Sequence, residues 1–177
     1  ELRNSISRLE IAGERSAGAV VLQDERGKRR RVGLVFGGTL DQAQPLLAPT
    51  YYLARALQPF ADVQEARGAK GTAESINQLL DNQVSVLVLA DVGALDERTT
   101  ARVEGFVKAG GMLLRFAGPR LAAGNDPLVP VRLRRGNRTL GGTLSWDSPK
   151  TLAPFPPESP FAGLTPPADI GVRRQIL

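Results

Sequence analysis

The sequence predicts an α/β domain of flavodoxin-like type: a three-layer sandwich with a mainly parallel sheet, plus peripheral β strands at its N- and C-terminal ends. Three observations predict it. Apolar, strand-like segments at residues 31–36, 84–90 and 112–116 alternate with amphipathic stretches of about 10 to 15 residues, the rhythm of right-handed crossovers. Residues 84–90 are almost wholly valine, leucine and alanine, as a strand buried on both faces requires. Glycine pairs at 37–38 and 110–111 mark the ends of a strand and of a helix.

Ahead of that core, residues 5–11 and 18–22 read as two short strands of an antiparallel hairpin, separated by residues 13–17 and packed at the side. Residues 31–36 form the first core strand and lead into a tight loop, Gly37, Gly38 and Thr39. Over residues 42–58 the apolar positions Leu46, Leu47, Tyr51, Leu53, Ala54 and Leu57 recur mostly at three- and four-residue spacing, so an amphipathic helix is expected. Pro45 suits its first turn and Pro59 its stop, while Pro49 removes a backbone donor and leaves a start near Pro49 open as well. Residues 61–66 form a shorter, more polar strand suited to a sheet edge.

Thr72 is placed as the cap of a helix over residues 73–82 that buries Ile76, Leu79 and Leu80. Asp96 caps the helix after residues 84–90, with Val103, Phe106 and Val107 as its apolar stripe. A strand at residues 112–116 follows. Beyond Gly118 the texture changes to strands at 129–134, 139–146 and 170–177, and seven of the 13 prolines fall between Pro149 and Pro167, as in extended loop. The expected division is an N-terminal β extension at residues 1–30, an α/β core at 31–120 and a proline-rich extension at 121–177. Glu1 at the start and the apolar Ile176 and Leu177 at the end read as a piece of a larger protein.

Composition limits the function classes. With 177 residues, 42% hydrophobic and 23% charged, the chain matches one soluble globular domain. Its longest apolar run, residues 84–90, falls far short of the roughly 18 to 20 residues of a membrane span, so no membrane insertion is expected. The net charge of +5 permits an anionic partner. Lys28, Arg29, Arg30 and Arg31 form one basic block, and Arg132, Arg134, Arg135 and Arg138 another. Neither interleaves aromatic residues for base stacking, so both read as solvated turns or strand edges and no nucleic-acid partner is expected.

In an open parallel sheet, ligands bind beyond the carboxyl ends of the strands, which directs attention to residues 37–41, 91–96 and 117–120. Gly37, Gly38 and Thr39 bring backbone amides together, but without the glycine spacing of a dinucleotide fingerprint or a phosphate loop. Asp41 and Asp91 sit at two strand ends, where paired carboxylates hold magnesium only with further ligands; helix or turn capping is the favoured reading for Asp41, Asp91 and Asp96. Arg115 and Arg120 flank residues 116–119 as acceptors of an anion or, in the favoured reading, as surface arginines. The chain has no histidine and no cysteine, which removes the commonest general base, zinc ligands and thiol nucleophile. None of Lys28, Lys70, Lys108 and Lys150 shares a catalytic motif with a hydroxyl. No catalytic residue, metal ligand or cofactor is expected.

The run VLVLADVGALDERTTARVEGFVKAGGMLLRFAGP, residues 86–119, resembles the strand, helix, glycine pair, strand and turn of class I glutamine-amidotransferase-like domains. In that superfamily the turn after the last strand carries a cysteine nucleophile. Here Arg115, Phe116, Ala117, Gly118 and Pro119 occupy it, so the resemblance implies the fold without the glutaminase activity. EIAGERSAGAVVLQDERGKRRRVGLVFGG, residues 10–38, with QPLLAPTYYLARALQPFADV, residues 44–63, resembles bacterial membrane proteins whose N-terminal double-transmembrane region is of the aerotolerance-regulator (BatA) type. This implies a non-catalytic interaction or scaffold module of a membrane-anchored parent, with the parent's other domains and an envelope-associated protein as partners. Two alternatives stand beside it: a small-ligand or metal-assisted site at the strand ends, and an anionic-polymer surface built from the arginine blocks.

Overall fold

The alternation of strand and helix continues from Arg31 to Phe116 in the computed structural model, which describes residues 6–24, 28–38, 49–66, 68–124, 126–131 and 143–176. In chain order the strands are β1 (Arg8–Glu10), β2 (Val20–Leu22), β3 (Arg31–Phe36), β4 (Asp62–Glu65), β5 (Val86–Ala90), β6 (Met112–Phe116), β7 (Thr143–Lys150) and β8 (Val172–Ile176). The α-helices are α1 (Pro49–Leu57), α2 (Thr72–Asp81), α3 (Glu97–Lys108) and α4 (Pro119–Ala123). β3, β4, β5 and β6 form a four-stranded parallel sheet in the order β4-β3-β5-β6, the flavodoxin-like plan. β1 with β2, and β7 with β8, form separate antiparallel pairs, the peripheral strands expected at the two ends.

The sheet is covered from both sides because β5 is apolar on both. Leu87 and Leu89 pack with Val35, Ile76, Leu79 and Val103, so α2 and α3 cover one face. Val88 packs with Val32 and Leu34 under Leu53, Ala54 and Leu57 of α1 on the other. Burying each large aliphatic side chain contributes about 1.5–3 kcal/mol, and this central layer is where those contributions concentrate.

Some local expectations are corrected. Thr72 is the first helical residue rather than the cap: Gly71 holds the cap position without a side-chain bond, and the Lys70 N–H donates to Glu74 Oε2 at 2.8 Å instead. Val107 stands 42% exposed, leaving buried Val103 and half-buried Phe106 as the stripe of α3. Residues 129–131 make no strand, and 132–134 lie outside the described residues. The short helix α4 was not expected. Pro119 at its first turn fits a helix start, but five residues are too few for a periodicity signal. The expected helix over 42–58 is seen from Pro49 onward, with 42–48 outside the described residues. Among the described residues no helix is long and apolar enough to cross a membrane.

Asp96 caps α3 as the sequence indicates, accepting from the Thr99 N–H at 2.9 Å and the Thr99 hydroxyl at 2.7 Å. The bond from the Thr99 hydroxyl, followed by that from its N–H, holds the Asp96 carboxyl below its ordinary 3.8. A carboxyl lowered in the folded state stabilises the fold above its unfolded value, and that contribution disappears as pH falls through the folded one. In Thr99→Val, NMR titration of Asp96 is expected to move toward the ordinary value; an unchanged titration would remove the hydroxyl as its main cause.

Candidate functional site

The sheet order places the crossover reversal between β3 and β5, so the crevice where ligands bind in such sheets lies beyond Phe36 and Ala90. Here the chain closes that crevice upon itself. The Gly37 N–H donates to Ala90 O at 3.0 Å, and a Cβ on Gly37 would stand 2.0 Å from the Asp91 carbonyl oxygen. The loops after β3 and β5 are therefore in backbone contact, which only glycine permits.

Asp91 turns back through a left-handed conformation, φ 48°, which aspartate tolerates better than most residues. That turn aims its carboxylate at the start of α4. Oδ1 accepts from the Arg120 N–H at 2.9 Å and the Leu121 N–H at 3.2 Å, and Oδ2 lies 3.4 Å from Arg120 Nη1. A Cβ on Gly118 would fall 2.3 Å from Asp91 Cγ, so this second glycine makes room for the carboxylate. Capping is thus what Asp91 does, with α4 as the element capped rather than a simple turn.

Arg115 departs from the surface reading. Its side chain is 6% exposed and lies 2.5 Å from the carboxylate of Asp126, itself 0% exposed. Nη2 donates to Val92 O at 2.7 Å, whereas Nε and Nη1 have no aligned acceptor among the described residues. Asp126 also accepts the Leu128 N–H at 2.9 Å, so the pair ties the turn after α4 to β6 and to the loop after β5. Nothing in the sequence pairs Arg115 with Asp126, eleven positions apart across an irregular turn.

The strand-end candidates therefore separate. Gly37, Gly38 and Asp91 come together, Arg115 is held below them, and Thr39 and Asp41 lie outside the described residues. A neighbouring crevice of about 550 Å³ opens at the carboxyl ends of β3 and β4, lined in part by Gly37, Gly38, Glu65, Lys70, Ser75 and Arg120. Its arginine is already engaged: the Arg120 guanidinium lies 5.5 Å from the Phe36 ring centroid and pairs with Asp91. Among the described residues, no group of three or more acidic side chains is placed to hold a metal ion. In the first basic block, Arg29 and Arg31 donate to Gln58 O and Asn82 O, each at 3.2 Å; the second block lies outside the described residues.

The surface differs at the far edge of the sheet. On β6, Leu113 and Arg115 face α3, while Met112, Leu114 and Phe116 project on the α1 side and are 61%, 37% and 42% exposed. Register aligns them with Val86, Val88 and Ala90 of β5, so they continue the apolar face that α1 covers only in part. The sequence shows only a strand at residues 112–116, because an apolar pentapeptide looks the same whether one face or two are covered.

Comparison with protein-family models, with curated proteins and with solved structures gives no match.

The buried ion pair gives a direct test of its structural role. Asp126→Ala leaves the Arg115 charge buried without its carboxylate and is expected to cost about 3–5 kcal/mol in chemical denaturation. Combining Arg115→Met with Asp126→Leu is expected to recover most of that loss. A cost for Asp126→Ala below about 1 kcal/mol, the range of an exposed pair, would contradict it.

Proposed function

We propose that this chain is a non-catalytic, amidotransferase-like interaction module of a larger, membrane-anchored bacterial protein. The observation that carries the docking role is the apolar stripe Met112, Leu114 and Phe116, exposed on the outermost strand of the sheet. Contiguous apolar surface on a sheet edge is a costly feature that a partner relieves by covering it. The strand ends support a ligand site less well. Asp91 is taken up there by the start of α4 and lies beside Arg120, and Gly37 is pressed against backbone. The membrane-anchored parent and the amidotransferase likeness rest on the resemblance of residues 10–38, 44–63 and 86–119.

The docking role is tested with Leu114→Glu and Phe116→Glu together, both on exposed positions that leave the buried layer intact. The double variant is expected to keep the circular dichroism of the unaltered chain and to lose its specific partner from solubilised membranes by tenfold or more, about 1.4 kcal/mol or above. Equal capture by both proteins would move the docking surface elsewhere.

A further inference from the structure

Resting on the docking role of β6, we propose that the partner is a second copy of this chain. The two β6 strands pair antiparallel about a two-fold axis at Leu114, joining the four strands of each copy into one sheet.

The backbone supplies the first reason. The Met112 N–H donates to Ser85 O at 3.0 Å and Phe116 O accepts from the Asp91 N–H at 2.9 Å. Successive residues of a strand point their backbone groups to opposite sides, so Leu113 and Arg115 direct theirs to the outer edge. Among the described residues no strand pairs with that edge. Such groups need partners when apolar surface around them is buried.

The second reason is register. Pairing centred on Leu114 sets Leu113 opposite Arg115, and each such pair exchanges N–H···O=C bonds in both directions. The same register puts Leu114 against Leu114 and Met112 against Phe116 on the α1 side, a thioether beside an aromatic ring. Shifting the axis by one residue to either side leaves Phe116 opposite Gly110 or Met112 opposite Gly118 and breaks up the apolar trio. Only the register about Leu114 matches both the outward backbone groups and all three exposed side chains.

Charge removes the usual obstacle. Met112–Phe116 contains neither lysine nor proline, the common guards of edge strands, and its one charged residue, Arg115, is paired with Asp126 on the opposite face. Two copies of net charge +5 therefore meet along a strip that presents no like charges.

The absence of cysteine from the chain makes single-cysteine variants clean reporters. Leu114 against Leu114 is a pair without mutual backbone bonds, with Cα atoms about 4.5 Å apart, inside the disulfide range of about 4.4–6.8 Å. Under mild oxidation Leu114→Cys is expected to form a covalent dimer. Met112→Cys alone is expected to form no covalent dimer, because the two copies of residue 112 lie about 13 Å apart along the paired strands. Mixing Met112→Cys with Phe116→Cys is expected to give the mixed disulfide.

Sedimentation of the unaltered chain is expected to show a concentration-dependent dimer, weakened about tenfold or more by Phe116→Lys. Cross-linking of Leu114→Cys no greater than that of Tyr52→Cys on the exposed side of α1, or equal cross-linking of Met112→Cys, would overturn the pairing. A monomer that captures a different protein through Met112, Leu114 and Phe116 would overturn the self-pairing and leave the docking role standing. Resistance of the Leu114→Cys variant to thiol reagents while monomeric would show the chain covering its own edge and would remove both.

Discussion

Burial of β5 from both sides is the constraint on which the architecture depends. A strand whose alternate residues are all apolar cannot face water on either side, so helices must lie on both faces of the sheet. Leu87 and Leu89 draw α2 and α3 to one face; Val88 draws α1 to the other. The division is unequal. Among the described residues α2 and α3 share one face and α1 serves the other, so on that side cover gives out at β6, where Met112, Leu114 and Phe116 emerge.

The same sheet order that creates a crevice between β3 and β5 also brings the elements that fill it. Gly37 lets the first loop press on the second, Asp91 reverses direction to cap α4, and Gly118 vacates the space that its carboxylate occupies. Below them Arg115 and Asp126 fasten the following turn to β6. These charged groups thus stabilise the connections at the strand ends. The exposed apolar surface lies elsewhere, on the edge strand β6.

The central plan was legible in the sequence because it follows from composition and period. Residues 84–90 announce a doubly buried strand, Asp96 announces the start of α3, and the more polar residues 61–66 announce an edge. What was not legible depends on distance in space. The partner of Arg115 is set by a turn without periodicity, the conformation of Asp91 by a helix too short to signal itself, and the exposure of Phe116 by where α1 ends its cover of the sheet. A proline-rich segment after residue 149 was readable as extended, and no helix occurs in residues 151–170. The partners that proline-rich segment meets in space are beyond pattern reasoning.

Residue-resolved hydrogen exchange at low and high protein concentration tests most directly whether the outer strand is the working surface. At high dilution the Leu113 and Arg115 amides should exchange fast while Met112 and Leu114, bonded toward β5, stay protected; concentration should then slow the first two. Amides of Leu113 and Arg115 that are equally protected at every concentration, or equally fast, would contradict an open edge that closes by association.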